Sequence, residues 1–292
     1  MAKGVAGQAC LAPAHMLKAV KQARTAVSLL NPDEVRRRAR RPVSIGLVAF
    51  DDAGYTEMKE FLAGAAAGLV HRADDPEPPG KVDLVFYQQG VPCPKEAYIL
   101  YRDDPAATIS EILDDHNDLA LPLARQFPVF RRPVVERIIH AVSRENAVFA
   151  VATALPNLVP SFIELPWAFG EFASDTAFLT ANQVRMAFLI AAACGKEAGF
   201  SRQRVQILSI VAGAFGWRAL ARELAGKVPF GGGIVPKGAI AYAGTFVIGK
   251  GLEHYHHAGA PYTPAQREEV YQAAFERGKA VAESLSAALK EP

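Results

Sequence analysis

The stretch Ile234-Val-Pro-Lys-Gly-Ala-Ile-Ala-Tyr-Ala-Gly-Thr-Phe-Val-Ile-Gly249 decides the fold class. Its one charge is Lys237, near the start, and Ala241, Thr245 and Gly249 recur four positions apart. On a helix these three fall on one line, and small side chains at that spacing let two helix backbones approach closely, in lipid or in a soluble core. The line is therefore a candidate helix-packing or interaction face.

The apolar character extends towards the N-terminus. Residues Asn146 to Ile163 are uncharged, but Pro156 and Pro160 interrupt them. A simple transmembrane helix needs about 20 predominantly apolar residues. Two half-helices or a re-entrant hairpin fit this stretch better than one span. A further helix is expected from Glu164 to Cys194. At about 100° per residue, Glu164, Glu171, Asp175, Asn182 and Arg185 share an arc of about 80° on it. Such a polar stripe has two readings. It marks an ordinary surface helix, or a helix that turns its charges towards partner helices or water while lipid covers the rest.

The flanking segments complete a mostly α fold, with a C-terminal apolar helical domain preceded by a small α/β layer of strand, helix and strand. Val43 to Phe50 has the composition of a buried strand, Gly54 to Leu69 of a helix, and Val82 to Gln88 of a second strand; Ala97 to Tyr101 fits a third. The loop-forming composition of Arg72 to Gly80 separates helix from strand. Helices are expected at Pro105 to Asp114, Asn117 to Arg125, Arg131 to Leu155 and Arg202 to Ala225. The last begins at Pro264, with Thr263 as N-cap and Gln266 completing a capping box. The expected divisions are residues 1–42 (basic N-terminal helices), 43–104 (α/β region), 105–259 (apolar helical domain) and 260–292 (C-terminal amphipathic helix).

Half of the 292 residues are hydrophobic, 21% are charged, and the net charge is +2. No overall field points to nucleic acid as a partner. Positive charge is concentrated locally: Lys18 and Lys21 on an amphipathic segment, then Arg36, Arg37, Arg38, Arg40 and Arg41 around a short helix opened by Asn31-Pro32. These seven are candidate contacts to anionic lipid, worth about 1 kcal/mol each near a membrane surface; a solvated helix face is the alternative. Three widely spaced cysteines, Cys10, Cys93 and Cys194, argue against a disulfide framework and for a reducing compartment. The N-terminal stretch lacks the pattern of a signal peptide.

No complete catalytic motif is readable, and no cofactor or metal site is expected. The turn after the first strand, Asp51-Asp-Ala-Gly-Tyr-Thr56, is where a phosphate loop would sit. It has no lysine before a hydroxyl, and its two carboxylates would repel phosphate. Gly80-Lys-Val-Asp83 lacks the asparagine of a guanine-reading motif, and Gly231 to Gly238 puts Pro236 and Gly238 where a phosphate loop requires Gly and Ser/Thr. His254, His256 and His257 end an apolar helix without an evident further ligand, and nothing near Cys93 marks an activated nucleophile.

Five runs carry a resemblance to a known family: Thr153-Ala-Leu-Pro-Asn157, Leu179-Thr-Ala-Asn-Gln-Val-Arg-Met186, Gly213-Ala-Phe-Gly-Trp-Arg-Ala-Leu-Ala-Arg-Glu-Leu224, Pro229-Phe-Gly-Gly-Gly-Ile-Val-Pro-Lys237 and Ala241-Tyr-Ala-Gly-Thr-Phe-Val-Ile-Gly249. Together they resemble the bacterial YcjF-type domain of unknown function. That resemblance implies a helical, often membrane-associated domain attached to, or encoded beside, an Era-like GTPase domain. It makes Val43 to Tyr101 a shortened or degenerate remnant of such a domain. It also implies a place on the cytoplasmic side of the inner membrane, with the cytoplasm as the alternative. The expected partners are membrane lipid, a GTPase or a second copy of the chain. The expected function is non-catalytic interaction or scaffolding, with a soluble oligomerising protein and a degenerate nucleotide-binding protein as alternatives.

Overall fold

The computed structural model describes Thr25, Val27, Ser28 and residues 30–63, 68–73, 82–154, 175–211 and 234–288. The chain is mostly α-helical with a small parallel sheet, as the patterning predicts. It forms two compact units: Pro32–Ile138 with Leu189–Gly199, and Met1–Asn31 with Ile139–Phe188 and Phe200–Pro292. This division crosses the expected boundary at residue 105, because residues 105–138 group with the strands.

The α/β unit begins with α1 (Pro32–Arg40), which has acidic residues in its first turn and arginines in its last, matching the helix dipole. The elements β1 (Ile45–Val48), α2 (Asp52–Ala63), β2 (Val70–Arg72), β3 (Leu84–Gln88) and β4 (Tyr98–Leu100) follow. The strands are all parallel, in the order β2-β1-β3-β4. Ile45, Gly46 and Leu47 of the central strand are buried in succession, so both faces of β1 are covered, as its continuous apolar run implies. Strand β2 is a correction to the expected loop beginning at Arg72. Val-His-Arg is too short to show periodicity, and only its pairing with Ile45–Leu47 makes it a strand.

Two side chains latch this sheet. The Asp83 carboxylate accepts the Ser44 backbone N–H at 2.9 Å and pairs with Arg41 at 3.3 Å, tying the starts of β1 and β3. After β4, α3 (Pro105–Asp115) is capped by the Asp104 side chain, which accepts the Ala107 N–H at 3.2 Å. Buried Thr108 holds α3 to β4 by donating to the Ile99 carbonyl at 2.7 Å. A 3-10 turn (Asn117–Leu119) and α4 (Ala120–Gln126) lead into α5 (Pro128–Ala152). Helix α5 starts three residues before its expected Arg131, because Pro128 occupies the first helical position, where no N–H is needed.

Helices α5 and α6 (Asp175–Ala193) contribute residues to both units, dividing after Ile138 and Phe188. The second unit adds a helical stretch at 204–211, α7 (Ile234–Ala258) and α8 (Pro264–Ala288). Helix α7 ends at Gly259, whose φ of +71° suits a residue without Cβ. The expected capping box is present: the Gln266 N–H reaches Thr263 Oγ1 at 3.3 Å, and the Thr263 N–H reaches Gln266 Oε1 at 2.9 Å.

Helices α7 and α8 meet through small residues. A Cβ at Gly278 would lie 2.9 Å from the Ala239 carbonyl oxygen and 2.9 Å from Tyr242 Cβ, and one at Gly238 would lie 2.8 Å from Ala282 Cβ. Both are shorter than real Cβ contacts, so the helix separation depends on these glycines. Gly278→Val is expected to destabilise the helical unit by about 1–3 kcal/mol, the usual cost of overpacking. Urea denaturation followed by circular dichroism measures it, and an unchanged midpoint would show that the interface yields freely.

Candidate functional site

Parallel α/β sheets bind ligands outside the carboxyl ends of their strands, where the strand order reverses. In this sheet that position lies between β1 and β3, and the turn after β1 closes it from within. The Asp51 carboxylate accepts the Gly54 N–H at 2.8 Å, occupying the donor that a phosphate would use. Gln88, at the end of β3, accepts the Phe50 N–H at 3.0 Å. Its amide lies over Gly54 so closely that a Cβ there would be 2.4 Å from Gln88 Oε1. Asp52 pairs with Arg72 of β2. Both carboxylates of the turn are thus engaged within the unit, Asp51 by the Gly54 N–H and Asp52 by Arg72.

Beside this closed turn lies a cavity of about 230 Å³ whose walls include Met58, Phe61, Gln89 and Tyr101, with Glu57 and Arg102 paired at 3.3 Å. Cys93, a free thiol of intermediate exposure, lies on the β3–β4 connection. Burial and then the Glu111 charge push its thiol up from the usual range.

The second concentration of functional groups lies inside the helical unit and includes residues from both predicted sets. Thr245 of α7 accepts from Asn146 of α5 at 2.7 Å and from Gln183 of α6 at 3.1 Å. The Asn182 amide donates to Asn146 Oδ1 and to Glu145 Oε2, each at 2.9 Å. Arg185 donates to Asn182 Oδ1 at 2.9 Å and pairs with Glu145. Asn146, Asn182, Gln183 and Thr245 are all buried. Asn182 and Arg185 of the polar stripe therefore face a partner helix. Glu164 and Glu171 lie outside the described residues, and of Asp175 only its place at the start of α6 is described.

The small-residue line of α7 is covered within the chain. Ala241 and Thr245 are buried, and a Cβ on Gly249 would stand 2.8 Å from Ile139 and 3.1 Å from the Met186 sulfur. Sequence periodicity located this face but missed its polar partners Asn146 and Gln183, and missed Glu145, which holds Asn182 and Arg185. Glu145 and Asn146 belong to the polar run Ser143-Arg-Glu-Asn146 and Gln183 follows Asn182, and spacing does not say which of these face the bundle.

The basic cluster is largely engaged by the α/β unit. Arg36 donates to the Ala198 carbonyl at 3.0 Å, Arg40 pairs with Glu197 at 2.7 Å, and Arg41 bridges Asp83 and Asp118. Arg40's hydrogen bond chiefly, with Arg125 adding to it, holds the Glu197 carboxyl below its usual range. Arg37 and Arg38 are exposed, while Lys18 and Lys21 lie outside the described residues, as do 155–174 and 212–233, which hold the proline-broken stretch and the glycine run before Ile234. Among the described residues no group of three or more His, Cys, Asp or Glu is placed to hold a metal, and the His254 ring instead contacts Tyr262 at 4.5 Å. No family model, curated protein or solved structure matches the chain.

The network makes a graded prediction. Asn146→Ala removes the donor to Thr245 and the acceptor of Asn182 together, so it is expected to cost about 1–3 kcal/mol. Thr245→Val removes a shared acceptor while keeping the shape, and should also destabilise. Differential scanning calorimetry of both variants and their combination checks this: coupled residues give a double-variant loss different from the sum, and strict additivity would contradict the network.

Proposed function

We propose that this is a non-catalytic, membrane-associated interaction protein of the YcjF type, acting at the cytoplasmic face of a bacterial inner membrane. The observation that carries the non-catalytic part is the turn after β1. Its free amide and the space above Gly54 are used by Asp51 and Gln88, so the sheet serves as a rigid module rather than a nucleotide cradle.

Membrane association is supported by α6. Thr176–Ala193 is long and apolar enough to cross a membrane, and its one charged residue, Arg185, is paired with Glu145 on another helix. Ionisable groups inside lipid are tolerated in that arrangement. The same helix favours a second reading, a soluble helical scaffold, because 83% of the span is already buried by protein. Self-association in that case would use a surface other than Ala241, Thr245 and Gly249, for example the exposed Val205 and Leu208.

Fractionation separates the two readings. Retention in the membrane pellet after carbonate and high-salt washes is expected, and recovery wholly in the soluble fraction would leave the scaffold reading. Calorimetry with GTP and magnesium should give no binding heat at high micromolar concentration; a saturable isotherm would overturn the non-catalytic reading of the α/β unit. Gly249→Leu should lower stability without changing oligomeric mass, because Ile139 and Met186 occupy the space it would enter.

A further inference from the structure

The outer surface of α5, α7 and α8 carries a groove of about 460 Å³ that none of the foregoing functions uses. Its polar wall is formed by Arg144 and His140 of α5, Tyr242 of α7, and Arg277 and Ser284 of α8; Val281 and Leu285 form an apolar wall. On α5, His140 and Arg144 are one turn apart, and on α8 residues 277, 281, 284 and 285 share one face by helical spacing. No acidic residue lines the groove.

Arg277 is held in place without being neutralised. It donates to His140 Nε2 at 3.1 Å, and since a guanidinium only donates, that nitrogen is the acceptor. The other ring nitrogen, His140 Nδ1, lies 2.8 Å from the Tyr242 hydroxyl oxygen. Burial pushes the Tyr242 phenol up, so it stays protonated. Arg144 is exposed and has no hydrogen bond or ion pair among the described residues. Two guanidiniums therefore line one groove with no carboxylate partner among the described residues, one of them orientated by a buried tyrosine through a histidine.

We propose that this groove binds a phosphate monoester, its oxygens on Arg144, Arg277 and Ser284 and its apolar portion against Val281 and Leu285. Charge selects the class of ligand. A phosphate monoester carries about −1.5 to −2 at neutral pH, matching two cations, and its three acceptor oxygens suit two guanidiniums and a hydroxyl. A single carboxylate would satisfy one guanidinium and leave the other unmatched. The apolar wall adds the requirement for a hydrocarbon part. The site goes beyond the interaction reading above and stands whether or not the chain enters lipid.

Isothermal titration of the full-length chain tests it with three probes: inorganic phosphate, glycerol 3-phosphate, and dihexanoyl phosphatidate below its micelle concentration. Saturable binding of an organic phosphate at least tenfold tighter than inorganic phosphate is expected. Arg144→Gln and Arg277→Gln should each weaken it tenfold or more, while Lys279→Gln, on α8 but outside the groove lining, should not. Arg277→Lys keeps the charge and should retain part of the affinity. Preference for phosphatidate assigns a lipid headgroup, and equal binding of glycerol 3-phosphate assigns a soluble phosphomonoester. Absence of binding by all three probes, or binding unchanged in the doubly substituted Arg144→Gln, Arg277→Gln chain, would overturn the site.

Discussion

The helical unit depends on one shared acceptor, the hydroxyl of Thr245. It receives Asn146 from α5 and Gln183 from α6, so three helices are registered at a single buried oxygen. Apolar packing alone tolerates sliding, since one methyl group serves nearly as well as the next. A buried amide does not, because displacement leaves it without a partner at a cost comparable to a lost hydrogen bond. Asn182, Glu145 and Arg185 extend the same constraint to the edge of the bundle, where the ion pair is about one-fifth exposed. The glycines then follow as consequences: with the helices held this close, Gly249 and Gly238 have no room for a side chain.

The α/β unit solves a different problem with similar means. A parallel sheet leaves backbone donors at its carboxyl end, and many proteins use that end to bind phosphate. Here the donors are returned to the chain itself through Asp51 and Gln88, while Asp83 and Arg41 secure the opposite end of the strands. At both ends of the sheet a backbone donor is bonded to a carboxylate of the same unit, Ser44 N–H to Asp83 and Gly54 N–H to Asp51. On the outside of this unit α1 exposes Arg37 and Arg38.

Much of this was legible in order along the chain. Thr263, Pro264 and Gln266 announced the start of α8, and the apolar run at Ile45–Val48 announced a buried strand, because caps and burial leave local marks. The polar stripe was legible as a stripe, but its direction was not. Helical spacing places Asn182 and Arg185 on one side of α6 without saying whether water or Glu145 waits there. Strand β2 was not legible either, since three residues carry no period and its identity rests on Ile45–Leu47 alone.

The line Ala241, Thr245, Gly249 shows where the division falls. Sequence alone determined that these residues share a helix face and that the face permits close approach, because both follow from local geometry and side-chain size. Only tertiary structure decided that the approaching surfaces are Ile139, Asn146, Gln183 and Met186 of the same chain. It also placed Arg144 beside Arg277, residues 133 positions apart, in a groove without a carboxylate. Such pairings depend on how the chain returns upon itself, and residue spacing carries no record of that.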